Sequence, residues 1–258
     1  MIKWSLLVST IPYVIVSIII RYFLYSFIGF KGIIDFSDII LILTGGIFLV
    51  GIMLRGTLAD YKESEKFPAE LACLYESIED SINLTFKNLK IKKNRNEYLE
   101  TLLSSITDIK KWLHKSINHN DLYSSLENFS YKFIISEKDG FSIHTISKIL
   151  SDINSIRKIV ARIDVISRTG FLLTGYALLE VLISSIIFLL MITVFKNEIA
   201  EKVLTSFVII IYVYMYKLIK DIDDPFEYSP DGTVGASEIP LFPIDEYIQR
   251  LKDKLQRK

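Results

Sequence analysis

The chain has 258 residues, half of them hydrophobic, yet its 30 Lys and Arg cancel its 30 Asp and Glu and its mean hydropathy is +0.36. That neutral balance gives no support to nucleic-acid binding, which requires a basic patch or an excess of Lys and Arg. With Cys73 the only cysteine, an internal disulfide and a thiolate metal cluster are excluded, and the mixture suits apolar residues segregated into membrane spans.

The first stretch, "MIKWSLLVSTIPYVIVSIII", carries a basic residue and an apolar run, as a signal peptide does. The run exceeds a signal core of roughly 7–15 residues and no small-x-small cleavage site follows, so it reads as a retained transmembrane helix. Four stretches approach the roughly 17–25 apolar residues that cross a bilayer: Trp4 to about Phe27, Ile39 to Leu54, Phe171 to Phe195 and Val203 to Ile219. Gly29 to Ser37 and Lys196 to Lys202 are short connections, so the spans pair into two hairpins. Lys3, Arg55, Lys62, Lys66, Arg162, Arg168, Lys217 and Lys220 gather at one set of ends, against Arg21, Lys31, Lys196 and Lys202 at the other. The positive-inside rule then puts both termini and the long insert in the cytoplasm of a multi-pass protein of the cell membrane.

The expected fold is an all-α membrane protein with four transmembrane helices in two hairpins and a large cytoplasmic helical insert. Its parts are residues 1–55 (first hairpin), 56–169 (insert), 170–219 (second hairpin) and 220–258 (C-terminal segment). In the insert, Leu71, Leu74, Ile78, Ile82 and Phe86 recur at spacings of three and four, the mark of an amphipathic helix. Pro68 suits that helix's first turn. "YLETLLSSITDIKKWLHKSI" and "FSIHTISKILSDINSIRKIVARIDVISR" repeat the pattern, with turns at Asn118–Asp121 and Glu137–Gly140, and no alternating run predicts a sheet.

Enzymatic chemistry finds little footing. His114, His119 and His144 have no partner at metal-ligand spacing, and Walker, GxGxxG and GxSxG motifs are absent. "NLT" at Asn83 and "NFS" at Asn128 match glycosylation acceptors but fall in the cytoplasmic insert. No catalytic or metal residues are assigned. Within the membrane, Glu180 lies about ten residues into the third span. A carboxylate there is a functional group facing the bundle or a wet cavity, or else a protonated or tyrosine-bonded residue that fixes packing. Arg21, near the outer end of its span, is expected to snorkel to the interface.

The second span is the most pointed stretch. Thr44, Phe48, Ile52, Arg55 and Ala59 fall on one helical face. That stripe either lines an apolar constriction with a cation at its inner mouth or belongs to a packed span whose Arg55 snorkels. Gly45, Gly46 and Gly51 would let neighbouring helices approach closely.

At the exit of this span, "LRGTLADYKESEK" supplies Arg55, Ala59, Tyr61, Glu63 and Lys66, and after the last span "DDPFEY" supplies Asp224, Pro225, Phe226 and Tyr228. "EIPLFPIDEYIQRLKDKL" follows with Ile239, Pro240, Leu241 and an amphipathic helix. With the two-hairpin layout, these segments make the chain resemble the bestrophin family, its bacterial members above all. It departs from them by one residue between Ala59 and Tyr61, by Glu227 in place of a glycine, and by the longer gap "SPDGTVGASE", so it resembles a divergent branch.

The resemblance implies an ion channel rather than an enzyme: a homo-oligomer, pentameric in the family, with an apolar neck on the second span. Carried over by position, the neck is Thr44, Phe48 and Ile52, with Arg55 at the inner mouth and Asp224, Pro225, Phe226 and Tyr228 as the post-span motif. Arg55 favours anions such as chloride, while the family also includes a cation-conducting bacterial type. The partners implied are membrane lipid and small inorganic ions. No cofactor is expected. A calcium clasp is disfavoured because animal members place their acidic run after the Pro-Phe-Gly, whereas Asp221, Asp223 and Asp224 lie around or before Pro225–Phe226. The competing reading is a non-conducting membrane scaffold or signalling adaptor that acts through the insert.

Overall fold

A computed structural model describes residues 2–30, 32–89, 93–169, 173–228 and 237–256. Lys31, the expected start of the third span at Phe171 and the segment boundary at residue 170 lie outside the described residues. The elements in order are α1 (Ile2–Ile28), β1 (Ile34–Asp35), α2 (Phe36–Ser64), α3 (Phe67–Leu89), α4 (Lys93–Leu113), α5 (His119–Ile134), a 3-10 turn (Ser136–Asp139), α6 (Ile143–Thr169), α7 (Leu173–Met191), β2 (Thr193–Val194), α8 (Glu198–Asp223) and α9 (Phe242–Gln256).

Among the described residues four helices, α1, α2, α7 and α8, are long and apolar enough to cross a membrane. Helix α2 runs on to Ser64, well past the apolar run that ends at Leu54. Hydropathy marks only the part of a helix that lipid selects, and "GTLADYKES" continues in residues that a helix tolerates without a Gly–Pro break. Pro12 sits inside α1, as prolines do in spans where neighbouring groups meet the freed carbonyls.

The chain divides into two compact units, with boundaries after Tyr61 in α2, after Arg168 in α6 and between Pro225 and Phe226, and with Ser237 returning to the first unit. The first holds α1, most of α2, α7 and α8. Its core is Ile39, Leu43 and Val50 of α2 with Leu179, Ile183, Ile186 and Leu190 of α7 and Ile209, Tyr212 and Val213 of α8. No sheet was expected, yet β1 and β2 form a two-residue parallel pair, Ile34 with Thr193 and Asp35 with Val194. Two residues are too few to leave an alternating pattern in sequence. Because each strand leads into a helix, α2 and α8 start from the same end and run the same way.

The second unit holds α3–α6 and α9. Its centre is aromatic: Tyr98 lies 5.0 Å from Phe141 and 5.5 Å from Phe133, centroid to centroid, and Phe86 lies 5.6 Å from Phe141. The insert has one helix more than the three periodic stretches pointed to. In α5, Leu122, Leu126, Phe129 and Phe133 are buried at spacings of four, three and four. Its start is set by Asn118, whose side chain accepts from the Asp121 backbone N–H at 2.9 Å, so the supposed turn is an N-cap. Gly140, with φ of +93°, ends the following 3-10 turn in a conformation that only glycine adopts without strain. The terminal helix α9 is pinned by Lys110–Asp245, Arg250–Glu76 and Lys254–Glu79 ion pairs over buried Ile244, Tyr247, Ile248 and Leu251.

Candidate pore-lining face and intramembrane polar groups

The α2 helix packs with one face and leaves the opposite one open. Ile39, Leu43, Gly46, Val50 and Thr57 form the packed face, with Val50 only 3% exposed. At 3.6 residues per turn the opposite face carries Leu41, Thr44, Phe48, Ile52, Arg55 and Ala59, and all six are exposed. Phe48 is 68% and Ile52 54% exposed, so the predicted neck stripe is largely uncovered by the described residues. The Thr44 hydroxyl donates to the Ile40 carbonyl at 2.9 Å, which satisfies it within its own helix.

Close approach happens at one of the three expected glycines. A Cβ at position 46 would stand 2.6 Å from the Tyr212 hydroxyl oxygen and 3.0 Å from Ile186 Cδ1. Gly45 and Gly51 do not serve this way, since a Cβ on either would meet nothing within 4 Å. They lie off the packed face, which the spacing alone could not reveal.

Glu180 is exposed on α7 and accepts a 2.6 Å hydrogen bond from the Tyr216 hydroxyl of α8. Tyr216 lies one turn along from Tyr212, and one turn along from Gly46 is Val50, between Phe48 and Ile52. The Glu180–Tyr216 pair therefore stands at the depth of the predicted neck. Beside it Lys217 Nζ donates to the Ser9 carbonyl at 2.6 Å and to Ser9 Oγ at 2.9 Å, 4.7 Å from the Tyr13 ring centroid. Lys217, read in sequence only as an inner-end charge, thus joins α8 to α1.

Arg21 departs from its expected snorkelling. It is 9% exposed; Nε donates to Glu201 Oε1 at 2.6 Å, and the two terminal nitrogens donate to the carbonyls of Met191 and Thr193. The Met191 carbonyl, the last of α7, has no acceptor role left within its helix, the Thr193 carbonyl lies just beyond it in β2, and a cation there also meets the negative end of the helix dipole. A residue 180 positions away cannot announce itself as a partner in sequence, so the group was not legible.

The post-span motif is spread over separate partners. Asp221 accepts from the Ser237 hydroxyl, Asp223 is hydrogen-bonded with Tyr176, and Asp224 is the C-cap of α8. Pro225, Phe226 and Tyr228 are buried. The Phe226 ring stacks on Phe67 at 6.3 Å, and the Tyr228 hydroxyl donates to the Ile239 carbonyl at 2.8 Å, with its ring 5.1 Å from His114. Among the described residues no three His, Cys, Asp or Glu side chains are placed to hold a metal ion. At the exit of α2, Glu63 takes a two-pronged bond from Arg162, at 2.9 and 2.7 Å. An open trough of about 490 Å³ between α4 and α5 is lined by hydroxyls, Asp121, Asn128, Phe129 and Lys132, without a histidine or cysteine.

No protein-family model matches the chain, and no curated protein matches it in sequence. Solved structures do. A variant of a bacterial bestrophin homologue from Klebsiella pneumoniae superposes with a TM-score of 0.73 at 13% identity, over 100% of both chains. The chain has the bestrophin fold. A second structure of the Klebsiella pneumoniae homologue gives a TM-score of 0.72 at 12% identity over 98% of each chain. A variant of a membrane protein gives 0.76 at 14% identity, over 96% of this chain and 97% of its own. The bestrophin fold is thus kept from end to end while the sequence has diverged almost wholly. Layout and packing periodicity persist because many apolar side chains of similar volume fill the same core.

Proposed function

We propose that the chain is an ion channel in which several copies surround a pore lined by α2, with Phe48 and Ile52, flanked by Thr44, as its apolar neck. The observation that carries this reading is the exposed stripe opposite the packed face of α2, on a chain with the bestrophin fold. An apolar stripe at a shared axis forms a constriction that controls wetting, and a helix packed from one side only is placed to line one. The assembly is a homo-oligomer, pentameric by resemblance. The protein sits in the cell membrane with both termini in the cytoplasm, as the distribution of Lys and Arg favours. Arg55 at the inner mouth favours anions such as chloride.

Reconstitution into liposomes with paired chloride and potassium flux assays tests this. Phe48→Ala and Ile52→Ala raise flux by widening the neck, and Arg55→Gln lowers the chloride-to-potassium permeability ratio. Absence of flux from an intact oligomer would sink the reading. A cytosolic partner captured by the whole protein, with no flux, would favour the scaffold reading instead.

A further inference from the structure

We propose that Arg21 is a positioning residue for α2: it locks the loop ends of both hairpins together and so sets the attitude of the helix that carries the neck. The consequence for the neck rests on the pore reading above; the locking itself does not.

Two routes lead from Arg21 to the first residue of α2. Along the backbone, Arg21 holds the Met191 and Thr193 carbonyls, and Thr193 pairs with Ile34, two residues before Phe36. The Ile33 N–H donates to the Ile192 carbonyl at 2.9 Å, which ties the two loops once more. Through side chains, the guanidinium carbon lies 5.9 Å from the Phe195 ring centroid, and that ring lies 5.4 Å from the ring of Phe36. Gly32 shows how tightly the loops are drawn together. Its φ is +99°, and a Cβ there would fall 2.8 Å from the Thr193 carbonyl carbon.

The charges are arranged to hold. Arg21 meets the C-terminal end of α7, and Glu201 lies in the first turn of α8, so each charge also faces the helix end of opposite polarity. A guanidinium has a planar set of donors that reaches several acceptors at once, which a lysine ammonium cannot reproduce. Removing Arg21, which is buried, leaves the Met191 and Thr193 carbonyls and the partly exposed Glu201 without their donor, a larger change than loss of a surface ion pair. Glutamine at position 21, shorter and with a single amide nitrogen, cannot hold both carbonyls and Glu201 at once, so the strand pair, the Ile33–Ile192 bond and the Phe36–Phe195 contact hold the start of α2 without the charged lock.

Spin labels at Leu41→Cys and Ile199→Cys, positions 81% and 78% exposed on α2 and α8, read that attitude directly. The labelled chain carries Cys73→Ser and is diluted with unlabelled chain in liposomes. A single narrow distance is expected with Arg21, a broadened and displaced one in Arg21→Gln, and an intermediate one in Arg21→Lys. Glu201→Gln, which keeps both carbonyl bonds, gives a smaller displacement of the same sign and serves if Arg21→Gln fails to fold. Unchanged distances in the folded variants overturn the proposal.

Flux then tests the link to the neck. Arg21→Gln alters flux when Phe48 is present and does not when Phe48→Ala has already widened the constriction, whereas a merely stabilising role would lower Tm equally in both. A displaced helix with unaltered flux overturns the link. If the unmutated protein passes no ions, the pore reading falls, and the distances alone decide the role of Arg21.

Discussion

Gly46 lies directly beneath the Tyr212 hydroxyl: a methyl group at position 46 would stand 2.6 Å from that oxygen, which itself donates to the Leu43 carbonyl one turn away. Gly46→Ala must push Tyr212 aside or break its bond, and overpacking of this kind costs about 1–3 kcal/mol. A lower Tm is expected for Gly46→Ala in detergent. Gly45→Ala and Gly51→Ala, which meet nothing in the chain, leave its own packing intact. Equal losses at all three positions would refute the assignment of the packed face.

The Tyr216–Glu180 bond is open to a similar test. Tyr216→Phe removes the donor and keeps the ring, and interhelical bonds in membranes contribute on average about 0.6 kcal/mol. A small loss of stability is expected, measurable by denaturant titration in mixed micelles. Glu180→Gln keeps an acceptor for the tyrosine and is expected to fold normally; a change in ion flux would then assign the carboxyl group a role beyond packing.

At the post-span motif, Phe226 is a packing residue. Its ring is buried against Phe67, so Phe226→Ala is expected to cost about 3–5 kcal/mol and to weaken assembly. Added calcium shifts neither the Tm of the native chain nor that of the variant. Normal oligomers with an altered calcium response would reverse this reading.

Alkaline pH should loosen the second unit, which holds α3–α6 and α9, through Tyr98. Burial, and then its 2.6 Å bond to Asp139, push the phenol well above the ordinary value of 10.0. The folded state therefore keeps a proton that the unfolded chain releases. Stability is fully present below about pH 10 and falls as pH rises above it. Tyr98→Phe flattens that decline in a plot of denaturant midpoint against pH; an unchanged slope would remove Tyr98 as its source.

Much of the architecture was written in local patterns, because lipid and a helical core impose rules on consecutive residues. Long apolar runs mark α1, α2, α7 and α8, and spacings of three and four mark α3, α4 and α6. The same rule applied to Leu122, Leu126, Phe129 and Phe133 would have found α5 as well. The stripe proposed as the neck was readable as a face, since Thr44, Phe48, Ile52 and Arg55 follow one another around the helix whatever surrounds it.

Which face packs is another matter. That α2 turns Ile39, Leu43, Gly46 and Val50 inward and leaves Phe48 and Ile52 open depends on α7 and α8, more than a hundred residues later in the chain. Both faces are apolar, so hydrophobicity could not choose between them. The pairing of Arg21 with Glu201, of Lys217 with Ser9 and of Tyr216 with Glu180 likewise joins residues 36 to 208 positions apart. Sequence alone determined the helices and their periodic faces, which are properties of neighbouring residues. Tertiary structure alone decided how the buried charges and glycines are used, because a hydrogen bond or a van der Waals clash depends on distance in space.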